Sequence, residues 1–279
     1  MMYEFEITEK EFRLLQDLIH ERFGIFFKDE KRSYIQMKLY TRLTSLGFGS
    51  FSEYINFVKY DPHAHEELLR MISLLTNTET YFFRELPQLL IFRDHLLPEL
   101  KEKAIAKNKN TLKILSAGCS SGEEAYTLAM LTHDSGSFFW GWDITITGMD
   151  INERALESAS HGIYYERSFR MTDPAYQKRY FTANSGDFLV KENIRKMVSF
   201  MCGNITTPIP VRDFDIILCR NVLIYFSEEK MKAAIGNLHD ALRPGGYLLL
   251  GHSETLTGIF DEFETRRFPE TLIYQKKER

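Results

Sequence analysis

The sequence is poor in several features, and each shortage excludes a class. Three cysteines, Cys119, Cys202 and Cys219, stand far apart in 279 residues without CxxC spacing. That excludes a disulfide scaffold and gives no zinc signature, so they read as reduced thiols of a cytoplasmic chain. There is no excess of basic charge. Lysine and arginine number 35 against 39 aspartates and glutamates, a net charge of -4, which argues against nucleic acid as the main partner. No apolar run is long enough to cross a bilayer, so membrane insertion is not expected. The opening "MMYEFEITEKEF" carries acids where a secretory signal needs a cationic and then an apolar region. The eight histidines show no metal-ligand spacing, and no Ser-His-Asp or Cys-His arrangement emerges. Internal repeats and low-complexity tracts are missing too.

What remains is an ordinary globular composition, 44% hydrophobic and 27% charged, at a length that suits one large domain or two smaller ones. The first part reads as helices. Thr8 and Glu11 have capping-box spacing, Phe12, Leu15, Ile19 and Phe23 follow at the helical period, and Gly24 can end the turn. A second helix fits 31–46, stopped by Gly47. Ser50 and Glu53 repeat the capping-box spacing and open a third through Val58. "EELLRMISLL" starts a fourth after the Asp61-Pro62 break.

From about residue 110 the pattern changes. Short apolar runs, "LKILSAG", "DITITGMD", "VSFMCGN", "FDIILCRN" and "YLLLGHSE", alternate with helical segments. This predicts an α/β domain with a mostly parallel sheet covered on both faces. Residues 164–197 fit no strand–helix unit and read as a small antiparallel insertion. The expected division is a helical domain over 1–79 and an α/β domain over 80–279, with the β-subdomain at about 164–200.

Five stretches bear on chemistry. "SAGCSSGEE" has glycines that let the backbone turn sharply beside a ligand at a helix start. Gly118 and Gly122 are four apart with Ser120 between them, an incomplete dinucleotide fingerprint. A plain structural turn is the competing reading. Glu123 and Glu124 would repel a pyrophosphate and suit a cationic ligand, which disfavours an NAD oxidoreductase. Asp150, at the end of "TGMD", is either a ribose acceptor or the N-cap of the next helix. Asn204 and Asn221 close two further apolar runs, where ligands bind in open α/β sheets. Tyr225 follows Asn221 by four residues, as a packed tyrosine or as part of the reactive end. "LLTNTETYFFRE", 74–85, sets Phe82 and Phe83 beside Arg84: either a buried segment joining two domains or an arginine aimed at chemistry.

"TETYFFRE", "SAGCSSGEEAYTLAM", "MDINERAL", "CRNVLIYF" and "LRPGGYLLLGHSE" occur in this order. Together they resemble the CheR-type chemotaxis receptor methyltransferases, from end to end. The resemblance implies a class I methyltransferase fold using S-adenosylmethionine (SAM), with S-adenosylhomocysteine (SAH) as product. It implies an all-helical N-terminal domain, a small inserted β-subdomain, and methylation of glutamate side chains on chemoreceptor cytoplasmic helices. By position it implies cofactor contacts at Thr78, Thr80, Arg84, Gly118, Glu124, Asp150, Asn204, Ile205, Asn221 and Val222, with Arg84 and Tyr225 at the active site. The family pattern has asparagine at the position of Thr78, and this chain carries Asn77 one step earlier. Lys31, Lys38 and Arg42 lie at near-helical spacing and read either as a solvated face or, by the resemblance, as a surface for acidic receptor helices. His252 of "GHSE" reads as structural. A methyltransferase of another acceptor and a regulatory SAM-binding module are the alternatives.

Overall fold

The computed structural model describes residues 4–76 and 79–278. The chain divides into two compact units. One holds the residues up to Glu79 together with Tyr225–Lys230; the other holds Thr80–Ile224 and everything from Met231 onward.

Among its described residues the first unit has four α-helices, α1 (Glu9–Phe23), α2 (Arg32–Ser45), α3 (Phe51–Tyr60) and α4 (His65–Leu75). The capping box at α1 closes in both directions: Glu11 N–H donates to Thr8 Oγ1 at 3.3 Å, and Thr8 N–H donates to Glu11 Oε2 at 2.8 Å. At α3 the box is shifted. Glu53 N–H reaches Ser50 Oγ at 3.2 Å, but the Glu53 carboxylate takes the Gly49 N–H instead. The apolar stripes meet in a core of Phe12, Leu15, Ile19, Ile35, Leu39, Leu43 and Tyr54.

Arg42 is not a solvent-facing cation beside Lys31 and Lys38. Its guanidinium pairs with buried Glu67, which also accepts from Tyr54 Oη at 2.9 Å. A carboxylate taken into a helical core must be paired, and Arg42 supplies the fork that pairs it. Lys31 and Lys38 are exposed, and both ammonium groups lie over the Tyr34 ring, 5.5 and 5.6 Å from its centroid.

The second unit opens with α5 (Leu86–Ile91) and α6 (Leu97–Ala106), then alternates β1 (Thr111–Ala117), α7 (Glu123–Asp134), β2 (Asp143–Asp150) and α8 (Glu153–His161). An insertion follows: β3 (Ile163–Tyr164), α9 (Pro174–Tyr180), β4 (Phe181–Asn184), β5 (Asp187–Val190) and α10 (Glu192–Arg195). The main run resumes with β6 (Val198–Cys202), β7 (Phe214–Cys219), α11 (Glu228–Ala241), β8 (Leu242–Leu250), β9 (Phe263–Phe268) and β10 (Thr271–Lys276).

The seven-stranded sheet has the order β6-β2-β1-β7-β8-β10-β9. The first five of these run parallel, and β10 is antiparallel to both its neighbours. This is the mostly parallel sheet that the resemblance implies. Strand order reverses at β1, and in open α/β sheets ligands bind beyond the carboxyl ends of the strands at such a point.

The insertion forms the antiparallel sheet β3-β5-β4, its hairpin closed by Ser185 and Gly186, both at positive φ (44° and 105°). That pair matches the right-handed twist of a two-residue turn. Phe82 is fully buried against it, with ring centroids 4.7 Å from Tyr164, 5.2 Å from Phe169 and 5.0 Å from Phe181. Phe82 and Phe83 therefore pack inside the second unit, fixing its first residues to the insertion.

Glu99 of α6 ties that helix to the sheet through Tyr247 Oη of β8 and Arg266 of β9, and it also pairs with Lys103 one turn along the same helix. Burial opposes ionisation, but those three partners outweigh it and hold the carboxyl down at about 2. A depressed carboxyl contributes stability that is present above its unfolded pKa and lost as pH falls through the folded one. Glu99→Gln is therefore expected to lower the urea midpoint at neutral pH, with the gap to wild type closing between about pH 4.5 and 2.

Candidate cofactor and active site

The site is built where the loops after β1 and β7 touch. Gly118 has φ +80°, and a Cβ placed there would come within 2.4 Å of Val222 Cγ2. The N–H groups of Gly118 and Cys119 both donate to Met149 O, at 2.7 and 3.0 Å, which turns the chain over the end of β2. Gly122 has φ +91°, and its Cβ would meet Ala159 at 2.8 Å. Both positions need glycine for space as well as for φ.

The two acids that follow do not stand as a bare negative helix start. Glu123 is 3% exposed and accepts from Ser121 Oγ at 2.7 Å and Ser168 Oγ at 3.1 Å. Burial pushes its carboxyl up against those donors. Glu124 accepts from Ser116 Oγ at 2.7 Å and from Arg220 Nε at 2.6 Å. Its charge is thus met inside the protein.

Arg220, which sequence reasoning did not select, is the centre of this arrangement. Its side chain is 2% exposed and pairs with Glu124, donates to the Arg84 carbonyl at 2.9 Å, and stands 3.6 Å from Glu85. One signal was readable: an arginine closing a wholly buried strand must find carboxylate partners. Glu85 in turn accepts from Asn221 Nδ2 at 3.4 Å and lies 2.9 Å from His252 Nδ1. Burial disfavours its charge, yet His252, Arg220 and Asn221 together hold its carboxyl below the usual range.

Arg84 sits between two residues at positive φ, Phe83 (60°) and Glu85 (57°). Ser120 (50°) and Asn221 (60°) are held the same way. Non-glycine residues avoid this region unless surroundings impose it, and such strain collects where geometry matters more than stability. Arg84 is half-buried, with its guanidinium 5.7 Å from the Tyr81 ring centroid, while Arg170 of the insertion covers the same ring at 3.8 Å.

Asp150 lies at the end of β2. Its Oδ2 accepts the Ser120 N–H at 2.7 Å and its Oδ1 the Asn152 N–H at 2.9 Å. Burial raises its carboxyl despite these backbone donors. It is not the cap of α8: Asn152 holds that place, accepting from Ala155 N–H at 3.3 Å. Asn204 folds its own loop, its Oδ1 accepting from Thr206 N–H and Oγ1 at 2.9 and 2.8 Å. Ile205 is buried, and its carbonyl accepts from Asn237 Nδ2 at 3.0 Å.

Arg84, Gly118, Glu124, Asp150, Asn221 and Val222 are thus linked through the loops of the second unit. Thr80 is half-buried at its start. Thr78 and Asn77 lie outside the described residues. Tyr225 belongs to the other unit, where its carbonyl accepts the Phe26 N–H at 2.8 Å. Among the described residues no cluster of histidine, cysteine and acidic side chains could hold a metal, and no helix is long and apolar enough to cross a membrane.

A family model described as the CheR methyltransferase SAM binding domain matches residues 78–272, and the CheR methyltransferase all-alpha domain matches residues 10–76. Chemotaxis protein methyltransferase 2 of Vibrio cholerae is 32% identical over 99% of this chain and 96% of its own length. The chemotaxis protein methyltransferase of Borreliella burgdorferi is 36% identical over 90% of both chains. That of Vibrio parahaemolyticus is 33% identical over 97% of this chain and 98% of its own.

Proposed function

Because the chain belongs to the CheR family of SAM-dependent chemotaxis methyltransferases, we propose that it methylates glutamate side chains on the cytoplasmic helices of bacterial chemoreceptors, leaving SAH and a glutamate methyl ester. The observation that supports this reading is the packing of the loops after β1 and β7 on one another at Gly118 and Val222, at the strand-order reversal and beside Asp150 at the end of β2. The reading places the reaction in the cytoplasm.

The residues present fit the cofactor on two counts. Gly118, having no side chain, lets the loop after β1 close on Val222 beside the end of β2. Asp150 has one backbone donor of 2.7–2.9 Å on each oxygen, and an ionised carboxylate has further acceptor sites for a ribose diol. Asn204, Ile205, Asn221, Val222, Thr78 and Thr80 are proposed as further cofactor contacts. Glu124 serves the same site by fixing Arg220.

When bound, SAM supplies a methyl group on a positively charged sulfur, which an ionised carboxylate attacks in line. A glutamate with an ordinary pKa near 4.3 is already ionised at neutral pH, so the chain needs no general base. Its residues have to align the acceptor and keep water out. Arg84, presented by a constrained backbone, is proposed to position a carboxylate, and Tyr225 to orient the acceptor. A tight two-pronged grip on the attacking oxygen would lower its nucleophilicity, so Arg84 acts better by placement.

Incubation with labelled SAM and receptor cytoplasmic fragments is expected to give a base-labile methyl ester on glutamate. Base-stable label, or label on a small molecule only, rejects the reading. For the partner surface, Lys31 and Lys38 are proposed to meet acidic receptor helices. Lys31→Glu/Lys38→Glu, which spares the Arg42–Glu67 pair, is expected to slow methylation several-fold at low salt, with the difference shrinking at high ionic strength. Equal rates at both salt concentrations would remove these lysines from recognition.

A further inference from the structure

The loop after β8 carries a carboxylate with an unusual set of partners. Glu254 Oε1 accepts the N–H groups of Val222 at 2.9 Å, Leu223 at 2.7 Å and Ile224 at 3.3 Å. Its Oε2 accepts those of Asn221 at 2.8 Å and Gly251 at 2.8 Å. Glu254 N–H donates to the Gly251 carbonyl at 2.9 Å, and this turn folds the side chain back onto the loop after β7. Successive backbone N–H groups pointing at one place form a nest that attracts an anion. Here the chain's own carboxylate fills it.

The nest is held closely from a second side. A Cβ at Gly251 would lie 2.9 Å from Asn221 N, Asn221 Nδ2 and Glu254 Oε2 alike. Asn221 sits at φ 60°, a conformation asparagine adopts only at a cost without outside support. The same turn carries Val222, the side chain against which Gly118 closes. Glu254 thus sets, through backbone alone, the shape of the turn that packs against the loop after β1.

We infer that Glu254 is a positioning residue of the methyltransferase: its carboxylate holds the 221–224 turn in the form that accepts the cofactor. The inference rests on the proposed contact of Asn221 and Val222 with SAM, and it is independent of the identity of the acceptor.

Glu254→Gln keeps the size of the side chain but sets an amide nitrogen against backbone donors on one side or the other. The ligand-free variant is expected to exchange its 222–224 amides at least about tenfold faster than wild type, with β1 amides unchanged. Its Kd for SAH, by calorimetry well below Tm, is expected to rise at least about tenfold. Gly251→Ala, which presses on the same turn and leaves the carboxylate in place, is expected to weaken SAH in the same way. In the unaltered protein SAH should slow exchange at 221–224. Faster exchange in Glu254→Gln with unchanged SAH affinity makes the clamp purely structural and overturns the inference. Absence of SAH protection at these amides in wild type overturns it without any variant. Normal SAH binding with no methyl ester on receptor glutamates rejects the acceptor and leaves Glu254 in its role.

Discussion

Arg220→Met is expected to destabilise the second unit by about 3–5 kcal/mol, because it leaves the charge of Glu124 buried without its partner. Methionine fills much of the volume, so the loss comes from electrostatics more than from a cavity. Glu124 retains the Ser116 hydroxyl, Glu85 loses a cation at 3.6 Å, and the Arg84 carbonyl loses a donor at 2.9 Å. In a domain of about 200 residues this corresponds to a fall in Tm of roughly 6–20 °C. Arg220→Lys keeps the charge but lacks the planar fork that serves Glu124 and the Arg84 carbonyl together, so it falls between the two. The decisive comparison is Glu124→Gln/Arg220→Met. If the buried charge is the cause, the double variant recovers a large part of the lost urea midpoint. A double variant no better than Arg220→Met would assign the loss to packing.

The same residues show why some of this molecule was legible in its sequence and some was not. Local rules carried far. Thr8 and Glu11 are three positions apart in one segment, and the capping box forms as their spacing predicts. The apolar runs from residue 110 became five parallel strands because a doubly covered sheet demands continuous hydrophobic sequence. The awkward region after Tyr164 did fold as a separate antiparallel sheet. What escaped were partnerships set by strand order. Arg220 meets Glu124 across 96 residues, and Glu254 meets Val222 across 32. No window of sequence contains either pair. The pairing of Arg42 escaped for the same reason, since Glu67 lies two helices further on. The hairpin β9-β10 was missed on different grounds. "FETRRF" lies at the sheet edge and exposes Glu264, Thr265 and Arg267, so it lacks the apolar signature that marked the inner strands.

Asp150→Ala is expected to weaken SAM and SAH binding at least about a hundredfold while leaving the protein folded. Two hydroxyl donors to a charged acceptor contribute on the order of 1.5–3 kcal/mol each, and about 3 kcal/mol in all is already a factor of more than 100 in Kd. The fold has less at stake. Burial raises the Asp150 carboxyl above its ordinary range. The linkage sign follows: a carboxyl raised in the folded state stabilises below its unfolded pKa, and that contribution is lost as pH rises through the folded value. In its ionised form Asp150 is therefore a cost to the ligand-free protein, set against its hydrogen bonds from Ser120 and Asn152. Ligand binding should carry the same mark. An ionised carboxylate accepts from a ribose diol more strongly than its neutral acid, so wild-type affinity for SAH is expected to decline as pH drops through the raised pKa, beginning above the ordinary aspartate range. Asp150→Ala should show a low affinity with that component of the pH profile gone. Calorimetry across the acid range separates the outcomes: wild-type affinity in Asp150→Ala, or an unchanged pH profile, would remove Asp150 from the ribose and leave it a loop-former that receives the Ser120 and Asn152 amides.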